Sequence, residues 1–298
     1  MKRTNTAAAA AAALLLATLT ACGQSAAGQN AGQSPSASES KVDSVAQLVP
    51  KDVADKGTIT VGSSADTEPE GFVTAGGELD GYEIDLVEAA AATAGLKVKW
   101  EKTDFSALIP SIKSKRIVAA VGQIGITAER AKTVDFVTLV QTNQAFAAQK
   151  KSGLKDITID SLCGKKLAVT QGSRQQDLAT VQSQTCQDKG QPAIDLSVFP
   201  SSNAATLALK SGQMDIYWSG STELGYLVKK EQDLDIVGTH LKPYPTGIAL
   251  DKGSDLGPVL KAGLQHLIDD GTYKEITTKW GVEGSAVTQA ELNPEITW

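Results

Sequence analysis

Short apolar runs alternate with longer stretches in which apolar residues recur every three or four positions, beginning at Thr58. Residues 59–62 read as a short apolar strand. Over 83–94, Ile84, Val87, Ala91 and Ala94 form one helical stripe, which Gly95 stops. Residues 97–100 alternate polar and apolar as a strand does. Leu108, Ile109 and Ile112 mark a helix over 105–115, residues 118–121 form the next strand, and Thr127 is placed to cap the helix carrying Arg130. A second series starts after Gln149, with strands over 167–170, 196–199, 214–218 and 234–237. Its helices run from a Ser173 cap to 181, over 203–210 to a stop at Gly212, and over 224–230. Two such series predict an α/β protein of two lobes, with ligands beyond the carboxyl ends of the strands. Gly62-Ser63-Ser64, residues 122–125, residues 171–174 and Ser219-Gly220-Ser221 supply small-residue turns there.

Ahead of this pattern, Lys2 and Arg3 precede an apolar run over 7–19 that is too short for a stable membrane span. The run ends in Leu19-Thr20-Ala21-Cys22, which resembles the lipobox of bacterial lipoproteins; the alternative is an ordinary signal peptide with a coincidental cysteine. Residues 1–21 are therefore expected to be a lipoprotein signal peptide, with Cys22 carrying a lipid that holds the protein at a membrane surface outside the cytoplasm. The Gly-, Ser-, Ala- and Gln-rich stretch over 23–40 reads as a flexible tether, drawn here as residues 22–55. With Cys22 lipidated, Cys163 and Cys186 remain as an even pair in an oxidising compartment, and a disulfide between them is expected.

Composition narrows the chemistry. The chain of 298 residues is 41% hydrophobic and 21% charged, ordinary for a soluble globular protein, and its formal net charge of −6 comes without a long basic run. Nucleic acid is therefore excluded as a partner. The two histidines, His240 and His266, are far apart and no CxxC occurs, so no zinc or haem site is expected. The chain lacks a GxGxxG after a strand, a GxxxxGK[ST], a GxSxG elbow and an HExxH. The expectation is a protein that is not an enzyme and carries neither metal nor cofactor.

The stretch over 121–130, VGQIGITAER, leads an apolar strand through a glycine-punctuated turn to Arg130, on the first turn of a helix. A cation is disfavoured there by the helix dipole. Either the arginine is an ordinary surface residue, or an anion brought to the spot is gripped by guanidinium and free N–H groups together.

Several segments resemble the bacterial extracellular solute-binding proteins of the polar amino-acid family, family 3. They are Gly81-Tyr82-Glu83-Ile84-Asp85-Leu86-Val87-Glu88, Phe105-Ser106-Ala107-Leu108-Ile109-Pro110-Ser111, Ile126-Thr127-Ala128-Glu129-Arg130 with Val134-Asp135-Phe136, Asp270-Gly271-Thr272-Tyr273 and Lys279-Trp280-Gly281. The resemblance implies a two-lobed periplasmic-binding-protein-like fold of type II. Lobe 1 would comprise residues 56–142 and 243–298, lobe 2 residues 147–238, and the hinge residues 143–146 and 239–242. It implies a monomeric binding protein that captures a polar amino acid or related small carboxylate and passes it to the permease of an ABC importer. Arg130 would take the solute's carboxylate, with the N–H of Gly125 beside it, the C=O of Gln123 on the ammonium and Phe105 on the aliphatic part. Ser173, through its hydroxyl and N–H, and Arg174 would contribute from the second lobe. Glu83 and Asp85 are read as serving the helix start.

The chain departs from the family where an aspartate commonly meets the ligand ammonium, because Gly220 stands there, and Thr67 replaces a common aromatic. Asp66, Glu68 or Glu223 could supply the carboxylate instead; alternatively, the ligand lacks an ordinary α-ammonium. The alternatives to an importer subunit are a cyclohexadienyl-type dehydratase or a ligand sensor on the same scaffold.

Overall fold

The structure is a computed structural model that describes residues 41–296. Val42, Val45, Val49 and Val53 recur at helical spacing and lay two short helices, α1 (Asp43–Ala46) and α2 (Lys51–Lys56), against the first core. This corrects the tether boundary: residues 41–55 fold onto the body, because their valine face has apolar partners to bury against.

The first βα series comes next. Strand β1 (Thr58–Ser63) leads to three short antiparallel strands, β2 (Asp66–Thr67), β3 (Gly71–Val73) and β4 (Leu79–Asp80), which form a small sheet of their own. Helix α3 (Tyr82–Thr93) carries Glu83 and Asp85 in its first turn, where acids suit the dipole. Then come β5 (Lys97–Lys102), a 3₁₀ turn at Phe105–Ala107 running into α4 (Leu108–Lys113), β6 (Ala119–Val121) and α5 (Ala128–Ala131). Strand β7 (Val134–Gln149) is 16 residues long.

The second series is β8 (Lys166–Thr170), α6 (Arg174–Asp188), β9 (Asp195–Phe199), α7 (Ser202–Ser211), β10 (Ile216–Gly220) and α8 (Ser221–Lys230). Helix α6 outruns its expected end at 181, because Gln182 and Cys186 still face inward. Strand β11 (Leu234–Asp251) returns to the first series, and α9 (Leu256–Asp270) and α10 (Thr272–Lys279) close the chain.

The main sheet has eight strands in the order β5-β1-β6-β11-β7-β10-β8-β9. The β5-β1-β6 and β10-β8-β9 groups are parallel within themselves, and β7 and β11 form one antiparallel ladder joining them. Four apolar clusters flank the sheet. Neighbouring residues alternate between clusters: Phe146, Leu167 and Trp218 belong to one, and Ala147, Ala168 and Tyr217 to another. Two clusters draw only on residues up to Val140 and from Ile248 onward, with Ile296 at the edge of one; the other two draw only on residues between Ala145 and Val237. The fold is thus two-lobed, with separate cores and shared strands. Between the cores the ladder breaks register: β11 advances from His240 to Tyr244 while β7 moves only from Gln144 to Thr142.

Candidate functional site

The first-lobe face of the site is built on the chain that leaves β6. Gly122 (φ 144°) and Gln123 (φ 54°) turn it sharply. The Glu83 carboxylate, buried at the start of α3, accepts the Gln123 N–H on both oxygens at 3.0 Å. Burial pushes the Glu83 pKa up to about 7, against backbone hydrogen bonds that favour its charge. Beyond the turn Ile124 and Ile126 are buried, and Thr127 caps α5 by accepting the Arg130 N–H at 3.1 Å.

The guanidinium is thereby fixed in position. Its Nη1 donates to the Gly125 carbonyl and its Nη2 to the Gly172 carbonyl, each at 2.9 Å, and it lies over the Phe105 ring, 5.8 Å from the centroid. Burial lowers the Arg130 pKa, opposed by the charge of Asp177. No ion pair among the described residues includes Arg130. A guanidinium offers five N–H donors, and two of them serve these carbonyls.

Gly172 belongs to the second lobe, so Arg130 spans the seam. Gly172 has φ 73°, and a Cβ there would sit 3.1 Å from Ser106 of the first lobe; glycine suits both the left-handed backbone and the close approach. Helix α6 begins at once, with Ser173 Oγ accepting the Gln176 N–H at 3.1 Å. The Ser173 N–H, expected to serve a ligand, instead donates to the Thr170 carbonyl at 3.1 Å, because the capping turn closes on itself. Arg174 lies over the Tyr244 ring, 5.0 Å from its centroid. Burial pushes the Tyr244 hydroxyl to about 12 despite the nearby arginines.

The acids divide by partner. Glu68 pairs with Lys230 at 2.7 Å across the two lobes. Asp66 accepts the Ser202 N–H at the start of α7 at 3.1 Å and the Thr67 hydroxyl at 3.2 Å. Glu70 accepts the Gln123 side-chain amide and the Thr222 hydroxyl, each at 2.6 Å, and burial raises its pKa well above the ordinary value. Glu223 accepts the Tyr217 hydroxyl at 2.8 Å and the Ser219 hydroxyl; burial pushes its pKa to about 7 while both hydrogen bonds lower it.

Between the lobes lies a cleft lined by residues of both, from Phe105, Gln123 and Arg130 on one side to Ser173, Trp218 and Glu223 on the other. Residues 59–283 match the family described as Bacterial extracellular solute-binding proteins, family 3. The chain belongs to that family. Among its relatives, the arginine-binding protein ArgT of Corynebacterium glutamicum is 28% identical over 258 residues, covering 85% of this chain and 84% of ArgT. The ABC transporter glutamine-binding protein GlnH of Bacillus subtilis is 29% identical over 275 residues, 90% of this chain and 93% of GlnH. A solved structure of an ancestral arginine-binding protein bound to arginine is 33% identical, with a TM-score of 0.68 over 75% of this chain and 98% of that one.

The cleft gathers most of the residues singled out in the sequence. Arg130, Phe105, Gln123, Gly125, Ser173, Arg174 and Asp66 all line it. Glu68 does not, because Lys230 holds it at the neighbouring rim. Gly220 is also absent from the lining: a Cβ there would lie 2.0 Å from Gln123 Oε1, so the Gln123 side chain fills that space from the opposite lobe.

Trp218, Tyr244 and Ser202 line the cleft without having been anticipated. The ends of β10, for Trp218, and of β9, for Ser202, carried the clue, since strand ends point there; Tyr244, between two prolines, carried none. Cys163 and Cys186 are joined, with Cα atoms 5.7 Å apart. Cys22 and the expected signal peptide over 1–21 lie outside the described residues. Among the described residues, no group of three or more His, Cys, Asp or Glu could hold a metal ion, and no helix is long and apolar enough to cross a membrane.

Proposed function

We propose that this protein captures a polar amino acid or a closely related small carboxylate in the interlobe cleft and delivers it to the permease of an ABC importer. The observation that supports this reading is Arg130, partly buried at the seam of two separately cored lobes with backbone carbonyls as its partners. A carboxylate placed there would gain a charge-assisted, bidentate bond in a largely desolvated site. In this reading the Gly125 N–H, for which no hydrogen bond is found among the described residues, joins it.

In this reading residues 56–142 and 243–298 move as lobe 1 and residues 147–238 as lobe 2, about the hinge at 143–146 and 239–242, and α1 and α2 travel with lobe 1. The register break between His240 and Tyr244 falls at that hinge. Closure brings Arg130 to Gly172, Asp66 to Ser202 and Glu68 to Lys230. The protein works as a monomer, tethered outside the cytoplasm by a lipid on Cys22.

A thermal-shift screen of L-amino acids, followed by calorimetry, tests this. At least one amino acid should bind stoichiometrically, and Arg130→Ala should weaken it by about 3–5 kcal/mol, because a desolvated carboxylate loses its partner. Unchanged affinity in the variant rejects the assignment. Turnover of prephenate or arogenate would favour the dehydratase instead.

A further inference from the structure

We infer that Glu223 receives the cationic nitrogen of the bound solute, taking over a task that a side chain at position 220 cannot perform here. The inference rests on the cleft being an amino-acid site. Position 220 is glycine and offers no side chain, and the end of Gln123 fills the space a Cβ would take; Gln123 is held by Glu83 through its backbone and by Glu70 and Thr222 through its amide. A carboxylate must therefore reach the cleft from elsewhere.

The other acids are committed. Glu68 is neutralised by Lys230, Asp66 is engaged at the start of α7, and Glu70 stands behind Gln123 outside the lining. Among these acids Glu223 alone combines burial, a place in the cleft lining and two oxygens whose partners are neutral hydroxyls. No ion pair among the described residues includes it. A carboxylate accepts about four hydrogen bonds, so the two hydroxyls leave room for a charged donor. Tyr217 and Ser219 hold the group still, which orders the acceptor before the solute arrives.

The titratable and charged neighbours are Tyr217 on β10, Asp66 and Glu70 from the first lobe, Tyr244 on β11, and Arg130 and Arg174, which share the cleft. With burial holding the Glu223 pKa near 7, part of the population carries a proton at neutral pH, and an arriving cation displaces it.

Calorimetry of the full chain with L-glutamine and L-arginine as probes, in two buffers of different ionisation heat, tests the assignment. Wild-type protein should release protons on binding near pH 7 and lose up to about tenfold in affinity per pH unit below that. Glu223→Gln, whose fold is checked by thermal unfolding, should bind ~30-fold or more weakly and release no proton, while Glu223→Asp should retain proton release. Loss for L-glutamine assigns the α-ammonium; loss for L-arginine alone assigns the side-chain cation. Binding within threefold of wild type in Glu223→Gln overturns the inference while leaving the amino-acid site standing. If no amino acid binds wild-type protein, the underlying reading falls and this inference falls with it.

Discussion

The first lobe wraps its largest apolar cluster around α3 and α9, adding valines from α1 and α2 and aromatic side chains from α10. The second divides its apolar residues into two smaller clusters on opposite faces of its strands, then ties the segment before β8 to α6 through Cys163–Cys186. The lobes share the same βα plan and achieve rigidity differently. The lobe with the larger core relies on burial, and the smaller one adds a covalent constraint, as small cores in oxidising compartments do. Their contributions to the cleft differ in the same way. Arg130 is positioned by a tight turn anchored to a buried acid, whereas Ser173 and Arg174 are positioned by the start of a long helix.

The Arg130→Ala variant should sharpen this contrast most, since its effect of about 3–5 kcal/mol belongs to binding and should leave the unfolding of both lobes nearly unchanged. Replacing Cys163 and Cys186 with serine comes next. Opening a loop of that length should cost about 3 kcal/mol, and amide exchange should quicken in β8, β9 and β10 while β1, β5 and β6 stay protected. Equal quickening in both lobes would break the comparison.

A pH series probes the lobes one acid at a time. Glu83 in the first and Glu223 in the second each have a pKa raised from 4.5 to about 7, and Glu70 in the first is raised as well. Between those values the native state holds protons that the unfolded chain gives up, so their contribution to stability is fully present below about 4.5 and is lost as pH rises through about 7. Glu83→Gln should flatten part of that slope in thermal unfolding measured from pH 4.5 to 8. An unchanged slope would remove Glu83 as its source. The smallest effect is expected from Gly172→Ala, about 1–2 kcal/mol from forcing a side chain into the left-handed region. Its Cβ would also press on Ser106, so ligand affinity should fall together with the denaturation midpoint.

Most elements were legible because their periodicity is local. The stripe of Ile84, Val87 and Ala91 faces the core in α3, and Thr127 and Ser173 cap the helices they were expected to cap. The long strands were not legible. Residues 234–237 read as a complete strand because Gly238, Pro243, Pro245 and Gly247 interrupt the pattern beyond them, yet β11 carries these residues through register breaks. The cleft was half legible for the same reason. Arg130 sits in a local motif, whereas the Glu70–Gln123–Thr222 cluster joins residues 53 and 99 positions apart, and only the fold brings them together. The filling of the space at Gly220 by Gln123 likewise depends on the two lobes meeting.

Because β7 carries the chain out of the first lobe and β11 brings it back, the second lobe is an insertion within the first. During synthesis its segments are complete once β11 begins, while the enclosing lobe still lacks α9 and α10. The inner body can therefore finish folding first, and the outer one must hold its early strands open until the last helices arrive.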